Sequence, residues 1–449
     1  MDSGALLTGK QEAVTRSALF WPFVVWLVHW LLVQIPASLA YLWGTSRADQ
    51  GEYVFGGVTV TGGASAAYGN VPQWLPQPLD GWGHWLVEPL TLWDGTWYRL
   101  VAWLDYGPSY SANAAFFPLY PFMMRWGHEI TGLSYEVIGY FISNLAFLGA
   151  LIILYRLVQC DFTELIARRS LWAIALFPTA FFFSAVYTES LFLLLAVGTL
   201  YAARQGHWAI AGLCGLFAAL TRNSGVMLLA PLAVLFIQQF GWNPRRWFPA
   251  GVFAALPIAG IAIYGRILQN ANMGFLAWID QQWQWNRFSA MPWQTFKCTL
   301  FGCTASVRQW GVVQQLPVVS IDWGWIGELL RHPTWTTVTS FEWRDRVANS
   351  DVLELVVTIA AFALIIVGAR RVPLYYLAFV LPPLLVPLFS PSQVHPLMSM
   401  PRFVLPLFPL FVIAILQIRS RRVGWTLAIL SSIALILLTM QFSSWYWVS

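Results

Sequence analysis

Charge is what this chain has least of. Only 10% of its 449 residues are Asp, Glu, Lys or Arg, against about 25% in soluble domains, while 58% are hydrophobic and the mean hydropathy is +0.60. That scarcity excludes a soluble globular domain and leaves a polytopic membrane protein. Cysteine is scarce too. Of the four present, Cys160 and Cys214 read as small apolar residues. Cys298 and Cys303 share the segment KCTLFGC. No other Cys or clustered His completes a set of four metal ligands there, so a disulfide is the expected role of this pair. There is no Asp-x-Asp and no His/Asp cluster, so neither a metal nor another cofactor is indicated. A basic patch is also lacking: the formal charge of +5 is accounted for by membrane orientation, and no nucleic-acid partner is called for. Internal repeats, a heptad seam and Asn-x-Ser/Thr acceptors are absent as well.

What is abundant is apolar runs. They fall at about 18–43, 137–158, 171–187, 190–203, 208–221, 225–240, 249–268, 352–369, 373–389, 402–418 and 423–440, most of them suited to a hydrocarbon core of about 30 Å. Eleven spans are predicted, several of them short enough to be bent or extended by flanking residues. The first run is longer than the apolar core of a signal peptide, so a retained first helix is expected. Arginines and lysines of the short loops alternate with the spans. Lys10 and Arg16, Arg168 and Arg169, Arg204, Arg245 and Arg246, Arg370 and Arg371, and Arg419, Arg421 and Arg422 all thread to one side. That side is read as the cytoplasm, with the amino terminus inside and the carboxyl terminus outside. The chain is thus a single integral membrane domain, residues 1–449, with two long outer loops at 44–136 and 269–351. The first begins with a Gly-rich and then a Pro-rich stretch that reads as a flexible flap, order starting near Trp82.

Within the first outer loop, LWDGTWYRLVAWLDYG sets Trp93, Trp97, Leu100, Val101 and Leu104 on one helical stripe, with Asp94, Thr96, Arg99 and Asp105 off it. An amphipathic helix lying in the interface is predicted. Asp94 is the residue of most interest, since an acid among Trp93, Trp97 and Tyr98 at a membrane surface is a candidate for function. The same spacing also fits a Thr91-x-x-Asp94 capping box with a first-turn acid favouring the helix dipole, and the two roles are compatible. FPTAFFFSAVYTESLF presents Glu189, either a functional acid or a first-turn acid after Thr188. ALTRNSG places Arg222 and Asn223, and SPSQVHPLMSMPRF places His395 and Arg402, near the same surface. A lone arginine there commonly reaches for lipid phosphate. Two converging with acids point to a phosphate-bearing ligand, which the planar donor fork of arginine suits.

WDGTWYRLVAWLDYG with FFPLYP, then FPTAFFFSAVYTESLF, then AALTRNSG, in that order and spacing, resemble the PIG-V family of mannosyltransferases over about residues 82–240. QQWQWNRFSAMPW and SMPRFVLPLFP extend the likeness more weakly. The resemblance implies an all-α polytopic membrane protein of the GT-C class, which takes sugar from a polyprenyl-phosphate carrier, with interfacial helices in its outer loops. By position, Asp94 matches the family's loop acid and resembles a GT-C catalytic base. Glu189 matches the acid of the Tyr-x-Glu-x-Leu-Phe segment, and Arg222 with Asn223 match the Arg/Asn-Gly turn. The implied reaction is inverting transfer of mannose from a dolichyl-phosphate-mannose-like donor to a lipid-linked or glycan acceptor on the outer or lumenal face. Asp94 would deprotonate the acceptor hydroxyl, Arg222 and Arg402, with His395 third, would meet the departing phosphate, and Trp93, Trp97, Tyr98 and Trp285 would stack on sugar rings. Eukaryotic members add the second mannose of the glycosylphosphatidylinositol precursor in the endoplasmic reticulum, whereas the composition here suits a bacterial plasma membrane. The alternative classes are a lipid or sugar transporter or flippase, which would place acids inside the spans and show an inverted repeat, and an assembly subunit with a degenerate site.

Overall fold

Five helices are long and apolar enough to cross a membrane: Ala18–Leu42, Tyr135–Gln159, Asn223–Phe240, Asp351–Arg371 and Arg421–Ser443. The computed structural model describes residues 3–43, 53–55, 58–60, 79–309, 312–324, 327, 331, 351–444, 446 and 448, so these five are counted among the described residues, as is every absence noted below. The flap expected over about 44–80 lies almost wholly outside them. The principal helices are α1 Ser3–Trp43, α2 Asp94–Leu104, α3 Leu119–Thr131, α4 Tyr135–Gln159, α5 Glu164–Ala175, α6 Glu189–Arg204, α7 Trp208–Thr221, α8 Leu229–Phe240, α9 Leu256–Asn270, α10 Pro292–Phe301, α11 Asp351–Gly368, α12 Leu374–Phe389, α13 Met400–Val404, α14 Phe408–Gln417 and α15 Arg421–Ser443. Trp208–Thr221, Leu374–Phe389 and Phe408–Gln417 are shorter apolar helices, as the brevity of several predicted spans requires. The chain is a helical membrane protein.

One predicted span is not a continuous helix. Of residues 171–187, α5 takes the beginning and stops at Ala175; turns and a 3₁₀ stretch at Ala180–Phe183 then carry the chain to α6. Pro178 removes a backbone donor there. Irregular backbone at membrane depth is tolerated only where protein covers it, and Thr179, Phe181, Phe183 and Val186 are completely buried. Part of the cover is α1, whose His29 bonds through Nδ1 to Ala175 O at 2.7 Å and through Nε2 to Ser184 Oγ at 3.2 Å.

Two antiparallel hairpins add strand to the predicted all-α fold: β1 Tyr53–Phe55 with β2 Val58–Val60, and β3 Cys303–Gln309 with β4 Val312–Val318. The second hairpin begins at the predicted disulfide, Cys298–Cys303, which ties the last turn of α10 to the first residue of β3. Cys160 and Cys214 are free.

The helices share a polarity. Arg168 lies over the ring of Trp21 at 3.6 Å, Arg204 pairs with Asp161 at 3.2 Å, Tyr375 donates to Asp161 at 2.5 Å, and Arg371 donates to Gln417 at 2.8 Å. These contacts gather the start of α12 with the ends of α4, α6 and α14 at one extremity. At the other end of α6, about 24 Å away, Glu189 and Arg402 come together with Asp94.

Candidate functional site

The segment before α2 sets up the site. Trp93 has a φ of 58°, an outlying conformation for a bulky residue that costs about 1–3 kcal/mol and persists only where its surroundings impose it. Here Tyr187 imposes it: its hydroxyl donates to Leu92 O at 3.1 Å and accepts from Asp94 N at 3.0 Å, spanning Trp93. Val186 N donates to Leu90 O at 2.8 Å. Gly95 lies against the same backbone, where an added Cβ would sit 3.4 Å from Val186 O. The first loop's WDG and the YTES segment are therefore one structural unit, and Asp94 starts α2 with its backbone fixed from outside.

The predicted Thr91–Asp94 capping box does not form. Thr91 Oγ1 donates instead to Glu88 O at 2.9 Å, and α2 has no side-chain cap. Nor does α2 lie on the surface. Thr96, Tyr98 and Arg99, off the apolar stripe or beside it, are buried, and Arg99 pairs with Glu136 of α4 at 2.6 Å. Once a helix is enclosed, its polar side needs partners as much as its apolar side needs packing.

Asp94, Glu189, Arg222 and Arg402, spread over three hundred positions of sequence, meet. Arg402 donates from Nη1 to Asp94 Oδ2 and from Nε to Glu189 Oε1, and Arg222 Nη1 donates to the same Glu189 oxygen. The third nitrogen of Arg402, Nη2, donates to Tyr98 OH at 3.3 Å, and the guanidinium lies 4.7 Å over the Tyr187 ring. Tyr98 OH also bonds Thr188 Oγ1 at 3.0 Å, to which Arg222 donates at 3.4 Å. Arg222 is an extended residue between α7 and the 3₁₀ turn Asn223–Leu228. That turn needs Gly225, where a Cβ would fall 2.2 Å from the backbone of Ala218. Two acids and two arginines thus balance in a buried network.

The two acids differ in access. Glu189 is 0% exposed at its side chain and Asp94 15%, so only Asp94 presents itself to an incoming molecule. Tyr98 does not offer a stacking face as expected: it is buried edge-on against Phe116, Tyr120 and Tyr187, and burial pushes its hydroxyl up to about 12, so it stays neutral. Trp97 stacks on Phe116 with centroids 5.6 Å apart, and Trp285 meets both rings edge-on. Trp93 is half-buried against the core. His395 stands apart from the four-residue network, paired with Asp351 at 3.2 Å. Asn223 accepts from Ser224 at 3.4 Å and makes no contact with Glu189. Among the described residues no group of three His, Cys, Asp or Glu stands close enough together to hold a metal ion.

Sequence reading passed over Arg287 and Glu354. Arg287 lies in charge range of Glu354, Asp94 and Arg402, and Trp285, two positions before it, packs edge-on against Trp97 of α2. The signal available was the Asn-Arg-Phe of QQWQWNRFSAMPW, obscured by surrounding tryptophans.

No curated protein and no solved structure matches the chain. Residues 72–242, the stretch that carries Asp94, Tyr187, Glu189, Arg222 and Asn223, match the family model of the mannosyltransferases termed PIG-V.

Proposed function

We propose that the protein transfers mannose from a polyprenyl-phosphate-mannose donor to a lipid-linked or glycan acceptor, with inversion, at the end of the helices where Asp94 lies. The observation that carries this reading is the network itself: a reachable carboxylate, Asp94, whose backbone is pinned by Tyr187 and whose side chain is held by an arginine anchored on a second, inaccessible carboxylate. Asp94 takes the proton of an acceptor hydroxyl. The acceptor oxygen bonds to the anomeric carbon as the bond from that carbon to the carrier phosphate breaks, and the leaving group departs as polyprenyl phosphate. Arg402 holds the Asp94 carboxylate in place. The positive field of the arginines stabilises the anionic phosphate as it departs. Trp97 and Trp285 supply an aromatic wall of the kind that packs on sugar rings. Donor and acceptor are the partners, with the membrane lipids around them, and no metal takes part. The gathering of Arg168, Arg204 and Arg371 at the opposite end supports an outer or lumenal site under the positive-inside rule. The bacterial plasma membrane is the setting that fits the composition.

The test is transfer of radiolabelled mannose in proteoliposomes holding the purified protein and a lipid extract as acceptor. Product is expected from polyprenyl-phosphate-mannose, not from GDP-mannose, and undiminished by EDTA. Transfer from the nucleotide sugar alone, or transport of lipid with no transfer, contradicts the reading.

A further inference from the structure

The donor phosphate requires a cation with a free edge, and every nitrogen of the Arg402 guanidinium already carries a bond to the protein. Its Nε, Nη1 and Nη2 are committed to Glu189, Asp94 and Tyr98 respectively. Arg287 is the opposite case. Among the described residues its one side-chain hydrogen bond runs from Nη1 to Ser390 O at 2.7 Å; no carboxylate bonds it, although Asp94 and Glu354 lie within charge range. Burial lowers its affinity for a proton to about 10, which leaves it cationic at neutral pH.

Its position is built, not incidental. Arg287 pairs with Ser392 in an antiparallel bridge, flanked by Gln393 N to Asn286 O at 2.8 Å and Phe288 N to Pro391 O at 3.0 Å. Hairpin β3–β4 braces the same segment, with Val319 N donating to Gln393 O at 2.9 Å. A backbone ladder therefore holds the guanidinium at the end of α12. Next to it Trp285 continues the aromatic wall of Trp97 and Phe116.

Resting on the mannosyltransferase reading, we propose that Arg287 is the residue that grips the phosphate of the polyprenyl carrier, through the guanidinium edge left open by Ser390, while Arg402 serves to hold Asp94 and Glu189. With one of its five N–H donors taken by Ser390, the planar fork keeps an edge that suits two oxygens of a phosphodiester. Proximity to Asp94 puts that phosphate beside the acid that receives the acceptor's proton.

The experiment measures binding of undecaprenyl phosphate, without sugar, to the full-length protein in zwitterionic nanodiscs, for the wild type, Arg287→Gln and Arg287→Lys. A lost charge-assisted hydrogen-bonding pair corresponds to about 10- to 100-fold in affinity. Arg287→Gln is expected to weaken binding by that factor, and Arg287→Lys to recover part of it, since it keeps charge and loses the fork. Binding of undecaprenol, which has no phosphate, is expected to be the same in all three proteins. Affinity for undecaprenyl phosphate within twofold of wild type in Arg287→Gln overturns the proposal. So does phosphatidylglycerol competing as well as the polyprenyl lipid, which makes Arg287 a general headgroup anchor. Should Arg287→Gln fail to accumulate, Arg287→Lys decides alone, unchanged affinity overturning the proposal. Phosphate-dependent binding lost on substitution, in a wild type that transfers no mannose, upholds Arg287 and rejects the sugar assignment instead.

Discussion

Glu189 and Glu354 are both buried carboxylates in the first turn of a helix, and the protein treats them in opposite ways. Glu189 receives two guanidinium groups at one oxygen. Glu354 receives the backbone N–H of Ser399, at 3.0 Å, and Arg287, one of the charged groups within range, makes no ion pair with it among the described residues. A charge neutralised by direct contact is fixed in place, and its removal leaves its partners stranded. A charge balanced only at a distance leaves the intervening cation a donor edge to spend on a ligand. The first arrangement makes a frame for chemistry, the second a place for an anion to arrive.

Several substitutions break or sharpen that contrast. The largest effect on stability is expected from Arg402→Gln, which leaves Glu189 buried with a single cation. Breaking a buried pair from one side costs about 3–5 kcal/mol, to be read as a lowered thermal midpoint in detergent, whereas Arg287→Gln is expected to unfold close to wild type. Equal destabilisation by both removes the distinction. Next comes Tyr187→Phe, which takes away the hydroxyl bridging Leu92 and Asp94. At about 1–3 kcal/mol for the stranded groups, kcat is expected to fall about tenfold or more with the KM values little changed; a variant with normal kcat shows that Trp93 holds its conformation without help. Replacing Cys298 and Cys303 together by serine is expected to cost no more than about 2 kcal/mol, because a bridge across five positions constrains little of the unfolded chain. A larger loss indicates that the β3–β4 brace depends on the bond. The smallest effect is expected from Asp105→Asn. Asp105 pairs with Arg125 at 2.9 Å at a half-exposed site, worth about 0–1 kcal/mol, and its φ of 65° suits asparagine as well as aspartate. Activity falling as far as in an Asp94 variant contradicts the assignment of Asp94 as the singular acid of α2.

The membrane class, the loop acid and the two arginines were legible because each is an exception within its surroundings: a charge in an apolar run, at the end of a span, or among aromatics. The disulfide was legible from compartment and spacing. What eluded the sequence depends on long-range neighbours. The apolar run over 171–187 carries the same hydropathy whether it is a helix or an irregular segment enclosed by α1, α4 and α15, and only packing decides between them. The spacing from Thr91 to Asp94 fits a capping box, but Tyr187, ninety-three positions after Asp94, fixes that backbone instead. Tyr98 reads as a sugar platform until Thr188 and Arg402 take its hydroxyl. Arg287 gives only a faint local signal, the Asn-Arg-Phe among tryptophans, since its importance lies in a bridge to Ser392 and in a guanidinium bonded only at Ser390.

Whether Asp94 accepts the acceptor's proton is measured most directly by single-turnover mannose transfer from polyprenyl-phosphate-mannose by wild type and Asp94→Asn in the same proteoliposomes. Asparagine keeps the size and can still bond Arg402, while Glu189 keeps both of its arginines, so the variant is expected to fold and to bind donor normally. The rate of transfer is expected to drop by about 10²–10⁴, the usual contribution of a positioned acid or base. A folded Asp94→Asn protein that transfers mannose at the wild-type rate contradicts the account, and leaves Asp94 a first-turn charge worth about 0.3–1 kcal/mol to its helix.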